Sequence, residues 1–365
     1  MKTPAPIRPF FFLFFFVAMA GVAMGQKYSN EFLSIGVSAR AQAMGNAVIA
    51  STDDVTSGYW NPAGLANMDS TEGLQLGAMH AEWFAGVGKF DYLGLTIPFA
   101  TGNRRLGLSL IRFGIDDIPN TLSLYEDDGT VNYDNIVSFS AADYAILGSY
   151  AQKWKTKKGR EFNIGGNVKI VRRVIGTFAN SWGFGFDVGL QWKSGPWLLA
   201  ATGRDITSTF NAWHVTFTDE EKAVLLATGN ELPDINSLEV TKPQIVLGAG
   251  RLFQFENFSL LAELNALATT DGKRNTLVSG DPISIDPGFG MEANYQDFLF
   301  LRAGINQFQK EGDFDGQKHY ISRPSVGVGL QIYSLRVDYA FTDLGDSQNR
   351  YSHIVSLRLD LKPKK

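Results

Sequence analysis

The side chains best suited to acid–base or metal chemistry are four histidines, His80, His214, His319 and His353. They are scattered, with no i,i+4 pair and no His-Glu-x-x-His run, so their spacing predicts no metal site. His80 and His353 fall in the first and last of the alternating segments described below, which would meet if the sheet closed on itself. A serine beside a histidine on such neighbouring strands would make a hydrolase. The chain has no Gly-x-Ser-x-Gly turn, however, and no enzyme activity is expected. Gly183-Phe184-Gly185 matches half of a dinucleotide fingerprint but lies in an alternating stretch with no helix after it. Asp313-Phe314-Asp315-Gly316 opens like a calcium loop and lacks the closing glutamate. With Asp127-Asp128 it reads as acidic surface loop.

Composition narrows the classes further. Cysteine is absent, which removes disulfides, thiolate zinc sites and iron–sulfur clusters. The formal net charge of -4 offers no basic field for nucleic acid. The chain is 44% hydrophobic and only 19% charged over 365 residues, and no Pro/Ser-rich linker divides it. No cofactor is expected. Lys2 and Arg8 flank the start of an apolar run from Phe10 to Val22, followed by the small-x-small site Ala23-Met24-Gly25. Residues 1–25 therefore read as a secretion signal, with Gln26 as the mature start.

The elements that would position any chemistry are strands. From about Glu72 onward, apolar and polar residues alternate with period two. Phe184, Phe186, Val188, Leu190 and Trp192 oppose Gly185, Asp187, Gly189 and Gln191. Val355, Leu357, Leu359 and Leu361 oppose Ser356, Arg358 and Asp360. The pattern predicts roughly fourteen strands, near 72–83, 89–100, 104–116, 143–154, 162–176, 181–194, 196–206, 243–253, 257–269, 288–295, 298–306, 323–332, 334–343 and 350–361. Many reach the length that crosses a bilayer at a tilt. Connections alternate: tight turns such as Thr101–Asn103 and Tyr333-Ser334, then long loops at Asp117–Ala142, Thr207–Lys242, Thr270–Pro287 and Gln307–Arg323. Short turns at one rim and long loops at the other mark an outer-membrane barrel, and a soluble sandwich has no reason to sort them. The longest loop carries the capping box Thr218-x-x-Glu221 and a helix over Asp219–Thr228. The seven tryptophans fall mostly near strand ends, where interfacial girdles form. Arg336, Asp338, Arg358 and Asp360 are placed inward as a lumenal charge lattice.

Ahead of the strands lies Arg40–Ala66, rich in small residues and closing on Asn61-Pro62-Ala63-Gly64. Proline fixes its own φ and drives Asn61 toward an extended conformation. Ser38-Ala39-Arg40, Ala43-Met44-Gly45-Asn46-Ala47 and Tyr59-Trp60-Asn61-Pro62-Ala63 resemble the opening of PorV/PorQ proteins, Bacteroidetes outer-membrane components related to the FadL fatty acid transporters. The resemblance implies an all-β, transmembrane antiparallel barrel of about 14 strands with a small N-terminal helical hatch. The hatch would span 26–71, the barrel 72–365, and Asn61, Pro62 and Ala63 would be the hatch motif. It further implies a cell outer membrane location, outer-membrane lipids as surroundings, and a role in type IX secretion. There the barrel would bind other secretion-system proteins and the C-terminal domains of cargo. The chain ends Leu361-Lys-Pro-Lys-Lys, a departure from the terminal aromatic of such barrels. The alternative reading is a transporter of hydrophobic small molecules, which requires a hydrophobic ligand in place of a protein partner.

Overall fold

The computed structural model describes residues 28–68, 73–83, 86–99, 104–126, 128–156, 160–232, 234–312, 318–343 and 351–361. The signal-like segment, the Thr101–Asn103 turn, Asp127, the Asp313–Gly316 fragment and the last four residues lie outside them. Sixteen strands follow in chain order: β1 (Leu74–Trp83), β2 (Gly88–Pro98), β3 (Arg104–Asn120), β4 (Val137–Lys155), β5 (Glu161–Ile175), β6 (Ala179–Ser194), β7 (Trp197–Arg204), β8 (Thr209–Val215), β9 (Asn236–Thr241), β10 (Gln244–Gln254), β11 (Phe258–Thr269), β12 (Ser284–Tyr295), β13 (Leu299–Gly312), β14 (Lys318–Ile332), β15 (Leu335–Asp343) and β16 (Tyr351–Leu361). Each barrel strand pairs antiparallel with its neighbours. β7 joins β10 at Ala200↔Gly248, and β1 closes on β16 at Ala78↔Leu357. With β8 and β9 standing apart as a hairpin, the result is a closed barrel of fourteen strands.

The wall is inside-out relative to a soluble protein. On β6, Phe184, Phe186, Val188 and Leu190 are exposed, whereas Asp187 and Gln191 are buried. The same inversion holds for exposed Leu93, Leu108, Ile146, Leu247, Leu301 and Val328 against buried Thr96, Ser109, Ser149, Glu263 and Arg302. An apolar skin of this kind requires hydrocarbon as its solvent, and a closed cylinder leaves no strand edge unpaired in it.

Trp154, Trp192 and Trp197 stand exposed at the ends of strands joined by short turns, beside exposed Tyr295 and Tyr333 and the stacked pair Phe255–Phe258 (centroids 4.3 Å apart). That rim carries an aromatic girdle. Four tryptophans do not join it: Trp182 on β6 and Trp213 on β8 lie toward the opposite rim. Trp83 turns inward under the Arg323 guanidinium (4.4 Å), and Trp60 is buried in the lumen.

The opposite rim differs from the expected loops. Gln307–Arg323 is mostly strand: β13 and β14 continue pairing past a bulge between Asn306 and Gln309. β3 and β4 likewise extend past a bulge to Asn120↔Val137. Thr207–Lys242 contains the β8–β9 hairpin, which pairs along the upper edge of β6 where β7 stops at Arg204. A helix, α3 (Asp219–Ala227), sits in that hairpin, and both hydrogen bonds of the Thr218/Glu221 capping box are formed. Inside the barrel, residues 28–68 hold a 3-10 turn at Glu31–Ser34, two short helices, α1 (Ala39–Ala43) and α2 (Ser57–Trp60), and a 3-10 helix at Pro62–Asn67.

Candidate functional site

The lumen is occupied by this N-terminal segment, whose side chains are almost wholly buried from Val37 to Ala66. So irregular a backbone leaves many N–H and C=O groups without helical partners, and buried ones must be satisfied elsewhere. The polar inner wall supplies them. Glu263 accepts from Ala50 N (2.7 Å), and Gln75 accepts from Val55 N (2.5 Å). Gln191 donates to Ile49 O (2.9 Å) and Thr52 O (3.0 Å), Asn167 to Gly58 O (2.7 Å), and Asn265 to Asn46 O (3.1 Å). A wall inverted for lipid is also a wall that can fasten a plug.

Close approach completes the seating at two opposite places. Asn61 is fully buried in an extended conformation. Its Oδ1 accepts from Ala63 N (3.1 Å), which caps the Pro62–Asn67 helix, while its Nδ2 donates to Ile49 O (3.1 Å) and to Leu190 O on β6 (3.2 Å). A Cβ on Gly189 would lie 2.0 Å from Asn61 Oδ1, and one on Gly165 would lie 2.5 Å from the Pro62 carbonyl carbon. Across the lumen, a Cβ on Gly304 would meet Gly45 N at 2.1 Å, and one on Gly290 would meet Met44 O at 2.4 Å. Asn61, Pro62 and Ala63 thus lie together against β5 and β6, at one of the two saddles. Sequence reasoning named these three and missed the wall glycines opposite them.

Charge holds the same segment. Arg40 pairs with Glu292 (2.9 Å), Glu292 with Arg302 (2.6 Å), and Arg302 with Asp338 (2.8 Å), which also meets Arg336 (3.3 Å). Arg358 reaches Asp54 of the plug at 3.4 Å and Asp360 at 3.7 Å. The four inward residues named from sequence therefore fall in two neighbouring charge clusters, Arg336 and Asp338 with Glu292, Arg302 and the plug residue Arg40, and Arg358 and Asp360 with Asp54 of the plug. The two strand histidines point outward: His80 bonds Asp91 (2.7 Å) and His353 bonds the Tyr339 hydroxyl (2.7 Å). His80 stands opposite Val355 and His353 opposite Glu82, so neither faces a serine in the register of the closing seam.

Two spaces flank the plug and a third lies above the barrel. Toward the short-turn rim is a polar vestibule of about 690 Å³ lined by Lys153, Asn163, Gln191 and Glu292 among others. Toward the long-loop rim is a pocket of about 360 Å³ bounded by Asn46, Ile49, Trp60, Arg204, Asn265 and Asp286. Above the barrel mouth, an apolar cleft of about 720 Å³ opens between the β3–β4 arm and the β8–β9 hairpin. Phe139 and Phe178 meet edge-on there (5.1 Å), Phe178 lies against Phe217 (5.6 Å), and Trp213, Val215 and Leu225 complete the walls. Its floor is charged: Arg173 pairs with Asp143 (2.9 Å) and Glu239 (3.2 Å), and Trp213 donates to Glu239 (2.6 Å).

Among the described residues, the wall is interrupted next to the plug. The β12–β13 ladder runs from Tyr295↔Leu299 to Phe289↔Ile305 and stops, although both strands continue. Pro287 has no N–H to offer that ladder. Asp286, Pro287, Asn306 and Gln307 line both the slit so formed and the 360 Å³ pocket behind it.

Over the pocket, Arg274 of the β11–β12 loop joins Asp271 (2.5 Å) to Glu31 of the plug (3.0 Å) and covers the Tyr28 ring (4.7 Å). Burial alone would push the Asp271 carboxyl up, but hydrogen bonds and charge from Arg274 outweigh it and hold the group below its ordinary value. A depressed carboxylate contributes stability that is present above its ordinary pKa and lost as pH falls through the depressed one. The loop is therefore expected to resist pepsin in mild acid and to be nicked only in stronger acid. Arg274→Ala should move the onset of nicking to higher pH.

A greasy fourteen-stranded antiparallel cylinder with an aromatic rim and an N-terminal plug defines an outer-membrane β-barrel of FadL-like architecture. No family model and no curated protein matches the sequence. By fold the chain is similar to the toluene transporter TodX of Pseudomonas putida (TM-score 0.51, 12% identity, covering 89% of this chain and 98% of that one). It is similar also to CymD, a monoaromatic hydrocarbon channel (0.53, 11%, 90% and 98%), and to a FadL homologue of Pseudomonas aeruginosa (0.50, 13%, 89% and 97%).

Proposed function

We propose that this protein passes hydrophobic small molecules across the outer membrane, capturing them in the aromatic cleft above the barrel mouth. The observation that carries the reading is the cleft itself: about 720 Å³, apolar, and raised clear of the bilayer on extended strands and a hairpin. Pockets of that size bury most of a small ligand. The fold shared with toluene and monoaromatic hydrocarbon transporters supports it, and the slit at Pro287 offers a way out through the wall. On this reading residues 1–25 direct export, the segment before β1 is the hatch, and Asn61, Pro62 and Ala63 are its anchoring motif.

A second reading is a closed PorV/PorQ-type scaffold in a Bacteroidetes outer membrane, which binds type IX cargo or attachment partners through its outer arms. It is favoured by the density of bonds fastening the plug and by the Arg173–Asp143–Glu239 floor between cleft and lumen. Whole-cell uptake of labelled toluene and oleate separates the two in a deletion strain complemented with wild type or Phe178→Asp. The transporter reading expects uptake to fall on deletion and to stay roughly tenfold low with Phe178→Asp, about 1.4 kcal/mol of lost capture. Unchanged uptake, with loss of secreted proteins and recovery of cargo C-terminal domains on affinity purification, would establish the scaffold instead.

A further inference from the structure

We propose that the 360 Å³ pocket between plug and wall is a binding site for a protonated amine carried on an apolar body. The site goes beyond the uptake reading and stands whether or not the barrel transports anything.

The pocket's unpartnered polar atoms set the chemistry. Among the described residues, Asn46 Oδ1, Asn265 Oδ1 and Asp286 Oδ1 are each buried without a hydrogen-bond partner, and Arg204 Nε on the far side of the pocket is likewise bare. The first three are acceptors. Asn265 is 5% exposed, and its Nδ2 is committed to Asn46 O (3.1 Å), which fixes its oxygen as the free end. The three residues adjoin. Asn265 stands opposite Gly288 on β12, two residues from Asp286, and Asn46 follows Gly45, whose carbonyl lies against Gly288. Buried acceptors left bare cost free energy, and a ligand that donates to them recovers it. An ammonium has three donors and no acceptor, and it carries the charge that Asp286, whose carboxylate accepts from the Phe308 N–H and meets no cation among the described residues, calls for.

The rest of the pocket fits the apolar body. Ile49, Val246, Leu267 and the Trp60 ring line it. The cations nearby do not compete for Asp286. Arg274 is neutralised by Asp271 and Glu31, and Arg204 is stacked over Tyr59 (5.2 Å) and Trp60 (5.5 Å). Arg204 also lies three strands away, since it pairs with Gln244, Gln244 with Thr269, and Thr269 with Ser284. The break in the β12–β13 ladder beside Pro287 borders the same pocket on its membrane side.

The full-length protein in phosphatidylglycerol nanodiscs would be titrated calorimetrically with 2-phenylethylamine, phenylacetate and ethylbenzene. The amine is expected to bind at least tenfold more tightly than either of the others. Asp286→Asn, close to isosteric, should weaken the amine about tenfold and leave ethylbenzene unchanged; retained heat-modifiable mobility on gels confirms the barrel. Adding phosphatidylethanolamine to the discs tells the sources apart: competition marks a lipid head as the natural occupant, and its absence marks a free amine. The proposal is overturned if phenylacetate binds as well as the amine, or if Asp286→Asn leaves the amine's affinity intact in a folded barrel. Hydrocarbon uptake unchanged on deletion, with amine binding preserved, would count against transport alone.

Discussion

Replacing Glu292 by alanine should release the plug while sparing the barrel. Its carboxylate is shared by Arg40 at 2.9 Å, Arg302 at 2.6 Å and Arg336 at 3.7 Å. Arg302 is wholly buried, and the Glu292 side chain is 11% exposed. Removing one member leaves buried cations uncompensated, a change that costs about 3–5 kcal/mol where it has been measured in cores. The strain falls on the plug, because Arg40 is the partner that can leave, whereas Arg302 and Arg336 are fixed on paired strands. Wild type should be silent in planar bilayers and Glu292→Ala should open long-lived conductances, since a lumen of this strand number is wide once empty. Arg40→Ala should act in the same direction and less strongly, because Glu292 keeps Arg302. A silent Glu292→Ala barrel would mean that the backbone hydrogen bonds, the glycine saddles and the Arg358–Asp54 pair retain the plug without Arg40.

The two partners of that lattice were unequally legible in the sequence. Arg336, Asp338, Arg358 and Asp360 could be placed inward because lipid on one side imposes a strict period of two on every strand. The fourteen barrel strands were readable for the same reason. That constraint ends at the membrane's edge, and so did the reading. Lys310, Glu311 and His319 look like loop because both faces of β13 and β14 are wet there, yet the ladder runs on between them. β8 escaped notice because its existence depends on a vacant stretch of β6, left free where β7 ends. Pro287 was the readable mark of the slit. In the sequence it reads as the end of a loop, whereas β12 begins at Ser284 and carries the proline within it.

The plug tells the same story at shorter range. Pro62 at the start of a helical turn and Asn61 extended before it follow from local rules, and the cap from Asn61 Oδ1 to Ala63 N follows with them. What Asn61 touches across more than a hundred residues, Leu190 O and the bare face of Gly189, has no local signature. A glycine in a strand signals a bend, a bulge or a close backbone approach. Only the assembled cylinder shows that Gly165 and Gly189 face Asn61-Pro62-Ala63 while Gly290 and Gly304 face Met44-Gly45.

Those glycines set the second large effect. In Gly304→Val the new Cβ would stand 2.1 Å from Gly45 N and 2.2 Å from the Met44 carbonyl carbon. Both are backbone atoms of the plug, so no side-chain rotation relieves the clash. Nor is there slack between the two backbones: Gly45 sits at a left-handed φ of +58° so close to β13 that a Cβ built on it would meet Ile305 N at 2.6 Å. The segment must lift from β12 and β13, which takes Arg40 away from Glu292. Gly250→Val is the matched control, since its nearest contact is 3.5 Å from a carbonyl oxygen. Expected are an open conductance and rapid proteolysis within residues 37–66 for Gly304→Val, and neither for Gly250→Val. Combining Gly304→Val with Glu292→Ala should then add little, because both act on one seated state and contacts that share a state are not additive. A fully additive pair would show that the saddle and the charge lattice hold different parts of the plug.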